Sequence, residues 1–263
     1  MYGGLLSALV DLVLPRTCAG CGVPGSVLCR RCAALLARPH LATPRRFPDG
    51  FPPTVAAGAY GGPVRPAVIA FKERGRAELA RPLGTALALA VAAVTTAVDG
   101  PRRPVLLVPV PSSRTALRIR GRDHVRELAG HAVAELRAAG VPATEARLLA
   151  RRGRVHDSAG LTAAQRRANL AGTFVRAGQP VPGALLVVVD DVVTSGATLT
   201  EAAAALAAGG TPGDAPVLAA VVAATPRDPR TGTSRRDLHV VPKRSENVRR
   251  ARSDRLSGRF RRD

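Results

Sequence analysis

Long apolar runs divide the middle of the chain into strand-like and helix-like segments. Five consecutive apolar residues, Leu185 to Val189, are typical of a strand that is buried on both faces of a parallel sheet. The same criteria predict further strands at residues 55–60, 105–111, 141–149, 172–175 and 216–224. The pattern at 141–149 is the weaker one, because this segment contains Pro142 and acidic side chains.

Helices are predicted between these strands. Glu201, Leu206 and several alanines favour a helix at residues 200–208, directly after the loop that follows the central apolar run. Other helical patterns cover residues 64–71, 77–98 and 125–139. Strands that alternate with helices in this way predict an α/β fold with a mainly parallel sheet flanked by helices.

The ends of the chain differ from this central part. Residues 5–14 have helical apolar spacing, and the proline- and arginine-rich residues 37–54 predict a linker. Beyond Arg227 few apolar residues remain, and the charge becomes strongly basic, which predicts a disordered tail. The predicted organisation is an N-terminal helix with a small module at 1–45, a main domain at 52–226 and the tail at 227–263.

The composition narrows the classes of partner. Apolar residues make up 46% of the 263-residue chain, and its formal net charge of +20 favours polyanionic partners such as nucleic acid or pyrophosphate-bearing substrates. The charge is weaker evidence than its size suggests, because only Lys72 and Lys243 among the 39 basic residues are lysines and the rest reflect an arginine bias.

No secretory signal is evident, and the apolar residues 83–98 are short for a membrane span. We therefore expect a cytoplasmic protein without membrane insertion.

A polar motif follows the central apolar run. Asp190 and Asp191 come directly after the predicted strand, and a loop of small residues leads into the next helix. This loop contains Thr194, Ser195, Gly196, Ala197 and Thr198. Helix N-termini bind phosphate through unpaired N–H groups, whereas paired carboxylates suit sugar hydroxyls or a magnesium ion. The motif therefore predicts a site for a ribose that carries a 5-phosphate; the alternative is a buried strand followed by an acidic helix cap.

All the cysteines lie in one short window, as two C-x-x-C pairs: Cys18, Cys21, Cys29 and Cys32. This spacing predicts a tetrahedral zinc site with four thiolate ligands. Two disulfides are the alternative, which a cytoplasmic setting disfavours. A window this short cannot form its own core, so the metal would supply its folding energy, and four thiolates leave no open position for catalysis.

Basic residues crowd the segment after the predicted strand at 105–111. Arg114, Arg118, Arg120 and Arg122 are predicted to lie in a loop. Such a loop at a strand end suits a second anionic group such as pyrophosphate, and a solvated basic loop is the alternative.

Lys72 is notable because the chain otherwise uses arginine almost throughout. Its retention indicates a requirement for a compact ammonium group, although chance survival on a solvated face explains it equally well. No side chain is an obvious general base. His124 and His156 are candidates, but a single histidine is more often structural or exposed.

Together these features resemble the ComF family of phosphoribosyltransferase-like proteins with an N-terminal double zinc knuckle. Five segments carry the resemblance: Leu14-Pro15 with the four cysteines, Tyr60 to Gly75 with Lys72, Val108-Pro-Val-Pro111 with Arg114 and Arg120-Gly121, Leu161-x4-Arg166-x2-Asn169 with Phe174, and residues 187–199. The chain departs from the family after Gly121. There the family commonly has an aromatic residue, an amide and a glutamine, and this chain has Arg122-Asp123-His124.

The resemblance implies a type I phosphoribosyltransferase fold with a zinc ribbon, and binding of phosphoribosyl pyrophosphate with Mg²⁺. It implies that Asp190 and Asp191 hold the ribose 2- and 3-hydroxyls and that residues 194–198 bind the 5-phosphate. The remaining catalytic residues, placed near the pyrophosphate, would be Lys72, Arg114 and Arg120. The phosphoribosyl group would then pass to an acceptor that the sequence does not identify.

The family's link with competence for DNA uptake implies a second interpretation. In it the chain is a non-enzymatic accessory that binds single-stranded DNA or a competence protein on the same scaffold. The net charge favours this interpretation, whereas an aromatic content of 3% weakens base stacking as its mechanism. The intact pair Asp190-Asp191 favours ligand binding, because a pure scaffold has no need of it.

Overall fold

The computed structural model describes residues 16–44, 48–100, 102–152, 172–209 and 216–226. Its helices are α1 (Arg30–Ala34), α2 (Val64–Lys72), α3 (Ala80–Thr96), α4 (Arg114–Arg120), α5 (His124–Ala138) and α6 (Ala197–Ala207), with a 3-10 turn at Ala77–Leu79. Its strands are β1 (His40–Leu41), β2 (Thr54–Ala59), β3 (Val105–Pro109), β4 (Ala143–Glu145), β5 (Leu149–Arg151), β6 (Phe174–Arg176), β7 (Leu185–Val193) and β8 (Leu218–Ala224). The helix predicted at 5–14, residues 161–169 and the tail at 227–263 lie outside the described residues.

The main sheet has six strands in the order β1-β2-β8-β7-β3-β4. All neighbouring strands from β2 to β4 run parallel, and only β1 pairs antiparallel, with β2. The central strands β3, β7 and β8 consist almost entirely of valine, leucine and alanine because both of their faces are covered. The predicted α/β fold with a mainly parallel sheet is therefore confirmed.

Two hydrophobic layers cover the two faces of the sheet. On one face, α2, α3 and α5 pack against alternate strand residues that include Val187 and Val189. On the other face, α6 and the antiparallel pair β5-β6 pack against the intervening residues, which include Leu186 and Val188. Successive side chains of β7 face opposite layers, and this alternation determines the face toward which each polar residue at the end of β7 is directed.

Two elements differ from the prediction. Residues 141–149, predicted as one strand, form β4 at the edge of the main sheet and the start of β5 in the second sheet. The Leu148 amide donates to the Ala146 carbonyl at 3.0 Å, and this tight turn redirects the chain between the two sheets. The predicted linker at 37–54 also contributes β1, which extends the main sheet by one short strand.

One helical segment of the described residues, Ala77–Thr96, is long and apolar enough to cross a membrane. Its most apolar window is 56% buried inside the protein. Leu83, Leu87 and Val91 belong to the core cluster beneath the sheet, and Gly84 lets the helix approach His131 of α5 closely. This burial is that of a core helix.

Residues 16–36 contain the four cysteines and α1, and we call this segment the ribbon. A β-bridge joins Thr17 to Pro24, and the Ala19 amide donates to Val27. The ribbon contacts the sheet just after α1, since a Cβ on Gly58 of β2 would meet the carbonyl of Leu35, the C-cap of α1. Glycine at this position allows the two backbones to approach.

Candidate functional site

The acidic pair lies in the last part of β7, which continues to Val193 and so includes Asp190 and Asp191. Because side chains alternate along a strand, the two carboxylates point to opposite faces of the sheet. Asp191 lies on the face that α2 and α5 cover, and Asp190 lies on the face of α6. Two adjacent carboxylates therefore have different surroundings.

Asp191 is buried, at 2% exposure, and accepts contacts on both oxygens. Its Oδ2 lies 2.7 Å from Lys72 Nζ and 3.1 Å from His124 Nε2, and its Oδ1 accepts the Val192 amide at 2.8 Å. Burial opposes ionisation, but the His124 hydrogen bond and the charge of Lys72 outweigh it and hold the pKa of Asp191 well below its usual range. Asp191 is therefore an ionised carboxylate in the protein interior.

Lys72, the last residue of α2, completes this ion pair from the neighbouring layer. Its side chain is 31% exposed, so the ammonium lies at the border between the core and solvent. Burial disfavours the charged ammonium, but the negative charges of Asp191 and Asp190 raise the pKa of Lys72 overall. The structure thus brings together two of the residues that the sequence singled out.

His124, the first residue of α5, is the second partner of Asp191. It is 3% exposed, its ring packs edge-on against Phe71, and its Nδ1 lies 3.3 Å from Arg120 Nη1. A guanidinium only donates, so Nδ1 accepts, and a neutral ring then carries its proton on Nε2, from which it donates to Asp191. From the sequence, His124 was only a candidate general base, because no local pattern shows that α5 packs beside β7.

Asp190 is partly exposed and lines a small pocket at the end of β7. Its Oδ1 accepts the Asp191 amide at 2.8 Å. Burial and the adjacent negative charge of Asp191 raise the pKa of Asp190 above its usual range. The other pocket-lining residues are Val192, Val193, Thr194, Ser195, Gly196, Thr198 and Leu199.

The loop of the pocket ends at Gly196, the N-cap of α6, which has a left-handed φ of +79°. No side chain among the described residues caps this end of α6, so its first amides are left for another acceptor. A Cβ at Gly196 would lie 2.9 Å from the Phe51 ring, which packs on the loop from the preceding connection. The predicted phosphate-binding residues 194–198 thus surround an uncapped helix N-terminus.

The predicted arginine loop is instead the short helix α4, and this expectation was wrong. Ser113 caps it by accepting the Ala116 amide at 3.1 Å, and Gly121 ends it in the left-handed region. Arg120, at its C-terminal end, reaches the site through His124, whereas Arg114 is exposed at its N-terminal end.

Arg122 does not face the candidate site. Its guanidinium lies over the Phe71 ring, 4.3 Å from the centroid, and forms an ion pair with Glu127. It also donates to the Phe71 carbonyl at 3.3 Å. Arg122 therefore links α5 to the end of α2, next to Lys72, and its role is to hold these elements together.

Arg151, at the end of β5, is a residue that the sequence analysis did not identify. Its guanidinium lies over the Phe174 ring, 5.1 Å from the centroid, and its buried Nε has no hydrogen-bond partner among the described residues. Burial lowers the pKa of Arg151, and the charge of Asp190 partly opposes this effect. Local patterns do not identify it, because the pairing of β5 with the distant strand β6 positions residues 149–151.

The four cysteines form a cluster in which all the Sγ atoms lie within 4.8 Å of one another. None is in a disulfide, and Cys21 Sγ lies 3.6 Å from Cys29 Sγ. Four thiolates around a tetrahedral zinc lie about 3.8 Å apart. Although burial opposes it, N–H donation from the backbones of Cys29, Cys21 and Gly20 lowers the pKa of Cys18 to about 6. The cluster is close enough to bind a metal ion and is compatible with structural zinc.

Comparisons with protein-family models and with curated sequences found no match. The chemistry of the site therefore rests on its own geometry.

Proposed function

We propose that the chain binds a phosphorylated ribose, in the form of phosphoribosyl pyrophosphate with Mg²⁺, as the ComF-like motifs imply. The observation that carries the proposal is the pocket in which Asp190 lies beside the uncapped N-terminus of α6. A helix N-terminus attracts phosphate, and a carboxylate beside it accepts hydrogen bonds from hydroxyls. A sugar phosphate offers both groups.

The two carboxylates would have different roles in such a complex. Asp190 is partly exposed in the pocket, and it would receive the ribose hydroxyls. Asp191 already has Lys72, His124 and the Val192 amide on its oxygens, so it would position these groups. The 5-phosphate would lie on the loop of residues 194–198.

The pyrophosphate would lie toward the basic groups on the other side of Asp191. Lys72 contacts Asp191 directly, Arg120 reaches Asp191 through His124, and Arg114 is exposed on the same short helix as Arg120. In a transfer reaction an acceptor nucleophile would form a bond to C1 of the ribose while the bond to pyrophosphate breaks. Mg²⁺ would neutralise part of the charge on the leaving group. The protein would contribute orientation and positive charge.

The cysteine cluster is proposed to hold one structural zinc ion. Four thiolates in tetrahedral reach of one point leave no position for a substrate. The ribbon would then take no part in the chemistry of the pocket. Its ligands would be Cys18, Cys21, Cys29 and Cys32.

Isothermal titration calorimetry with phosphoribosyl pyrophosphate and Mg²⁺ tests the proposal. We expect saturable heat for the wild type and a loss of affinity of about tenfold or more for Asp190→Asn, which replaces one carboxyl oxygen of the pocket with an amide nitrogen. Asp49→Asn makes the same substitution outside the pocket and serves as the matched control. Absence of heat with the folded, metal-loaded wild type would overturn the proposal.

A second candidate function, binding of single-stranded DNA, is favoured by the surface of α4. Arg114 and Arg118 are exposed there, and Ile119, which directly follows Arg118, is 80% exposed. A basic surface with an apolar side chain can hold a nucleic-acid strand through its phosphates. A gel shift with an oligonucleotide should survive removal of residues 243–263 and weaken on Arg114→Ala with Arg118→Ala. Loss of the shift with the tail alone would contradict a site on α4.

A further inference from the structure

The helix α2 joins the cysteine ribbon to the candidate site. It begins directly after Pro63, which lies against the ribbon, and it ends at Lys72, whose ammonium reaches Asp191. The helix is nine residues long and has no side-chain cap at its N-terminus. A helix this short depends on tertiary contacts for its position.

The ribbon contacts α2 at its N-terminal end through Gly20. A Cβ on Gly20 would lie 2.8 Å from the Pro63 carbonyl oxygen and 2.9 Å from Cys32 Sγ. The backbone of Gly20 therefore lies directly between Pro63 and the sulfur of Cys32. Movement of the cysteine cluster would be transmitted directly to the residue that precedes α2.

The ribbon contacts the other end of α2 through Arg76. Arg76 Nη2 donates to the Thr17 carbonyl at 3.0 Å, and its Nε donates to Glu78 Oε1 at 2.8 Å. The Arg76 amide donates to the Ala70 carbonyl at 3.1 Å, which fixes its backbone to the last turn of α2. One side chain thus connects the residue before Cys18 with the segment that follows Lys72.

Apolar contacts fill the space between these two points. Ala19, Val27 and Leu28 of the ribbon pack against the core cluster that contains the buried face of α2. This face consists of Val64, Ala67, Val68, Ala70 and Phe71. The ribbon thus packs closely against the residue before the helix, forms a hydrogen bond with Arg76 beyond its end, and makes apolar contacts with the core cluster that the helix belongs to.

We propose that the metal-loaded ribbon supports α2 and holds Lys72 on Asp191, and that Arg76 is the positioning residue of this support. A short cysteine segment obtains its folding energy from its metal, so loss of the metal removes the Thr17 and Gly20 contacts together. The ion pair between Lys72 and Asp191 then breaks more readily, because α2 has lost the contacts with the ribbon at both of its ends. The inference concerns the ion pair itself and does not depend on which ligand the pocket binds.

The experiment uses the fact that Lys72 and Lys243 are the only lysines of the chain. The full-length protein is treated briefly with an amine-acylating reagent, and mass spectrometry compares modification of Lys72 with that of Lys243 in the same molecules. The zinc-loaded wild type should protect Lys72, since an ammonium paired with a carboxylate is not nucleophilic. Asp191→Asn gives the reactivity of a released Lys72.

Removal of zinc with a chelator should raise the relative reactivity of Lys72 toward the level of Asp191→Asn. Zinc-loaded Arg76→Ala should raise it in part, and Arg74→Ala, an exposed arginine two residues away, should leave it unchanged. Lys72 that stays protected in both the chelated protein and Arg76→Ala overturns the proposal. An Asp191→Asn variant with unchanged Lys72 reactivity overturns it as well, because the ion pair would then not control the lysine.

Hydrogen exchange separates loss of this support from general unfolding. In the chelated protein, and in Arg76→Ala, exchange should rise over residues 64–76 while α5 keeps its protection. If α5 loses protection after chelation, zinc-loaded Arg76→Ala, whose ribbon keeps its metal, decides the question. Equal exchange of residues 64–76 in Arg76→Ala and the wild type then counts against the proposal.

Discussion

Lys72 Nζ lies 2.7 Å from Asp191 Oδ2, and this contact crosses from helix α2 to the buried end of β7. Asp190, one residue earlier, faces the opposite side of the sheet and lines the pocket. The two side chains are adjacent and chemically identical, yet their surroundings favour ionisation of Asp191 and disfavour ionisation of Asp190. The pKa of Asp191 is lowered and that of Asp190 is raised, so neutralising each of them should have opposite effects on stability.

Asp191→Asn is expected to lower the free energy of unfolding at neutral pH by about 3 kcal/mol, because it leaves Lys72 without its buried partner. Asp190→Asn is expected to raise it by about 1 kcal/mol, because a carboxylate that ionises unfavourably is replaced by a neutral amide of the same shape. Chemical denaturation of both variants measures the difference. Equal destabilisation by the two substitutions would contradict the assigned environments.

The pH dependence of stability follows from the same pair. A carboxyl whose folded pKa is raised binds more protons in the folded state, so Asp190 reduces stability as pH rises above about 4, the ordinary carboxyl value. The difference in unfolding free energy between Asp190→Asn and the wild type should vanish below that pH and grow above it. Asp191 should act in the opposite direction, with a contribution that is present above the ordinary value and lost in stronger acid. Denaturation curves collected from acidic to neutral pH test both signs.

His124→Leu should destabilise the protein by about 2 kcal/mol, because it removes a buried donor from Asp191 and an acceptor from Arg120. His124→Gln can still donate to Asp191, so its loss should be clearly smaller. Thermal unfolding of the two variants gives the comparison. Losses of equal size would mean that the ring contributes packing against Phe71 and that its hydrogen bonds add little.

Local patterns were sufficient to predict the central strands and most of the helices. The apolar runs at 105–111, 185–189 and 216–224 correspond to β3, β7 and β8, because burial on both faces leaves an unbroken apolar signal. The strand at 185–189 was predicted four residues too short. The structure continues it through Asp190 and Asp191 to Val193, since pairing with β8 supports the polar residues as well.

The surroundings of the acidic pair could not be predicted in the same way. They depend on α2 and α5 packing on one face of β7, and His124 is 67 residues from Asp191 along the chain. The helix α4 was missed because it buries no residue and therefore has no apolar periodicity. Ser113 and Gly121 mark the two ends of this helix in the sequence, but the arginine-rich composition of the segment indicated a loop instead.

Metal analysis of the purified protein should give about one zinc ion per chain, because four thiolates complete one tetrahedral site. Cys21→Ser removes one ligand of the cluster and should lower the metal content well below this value. Ser26→Ala, between the two cysteine pairs, should leave it unchanged. A stably folded wild type that carries no metal would contradict the assignment of the cluster.

Gly196→Ala should both destabilise the protein and weaken ligand binding. The residue has a φ of +79°, and a Cβ would lie 2.9 Å from the Phe51 ring, so the loop must shift to accommodate a methyl group. We expect a loss of about 1–3 kcal/mol in unfolding free energy. Adding Phe51→Ala removes the nearest contact but leaves Pro44 Cγ at 3.2 Å and the left-handed backbone, so the double variant should recover less than the full loss. Gly130→Ala is the control: its Cβ meets open space on an exposed face of α5, and it should stabilise the protein by about 0.5–1 kcal/mol. A Gly196→Ala variant with the same unfolding free energy as the wild type would show that the loop is not held in this conformation.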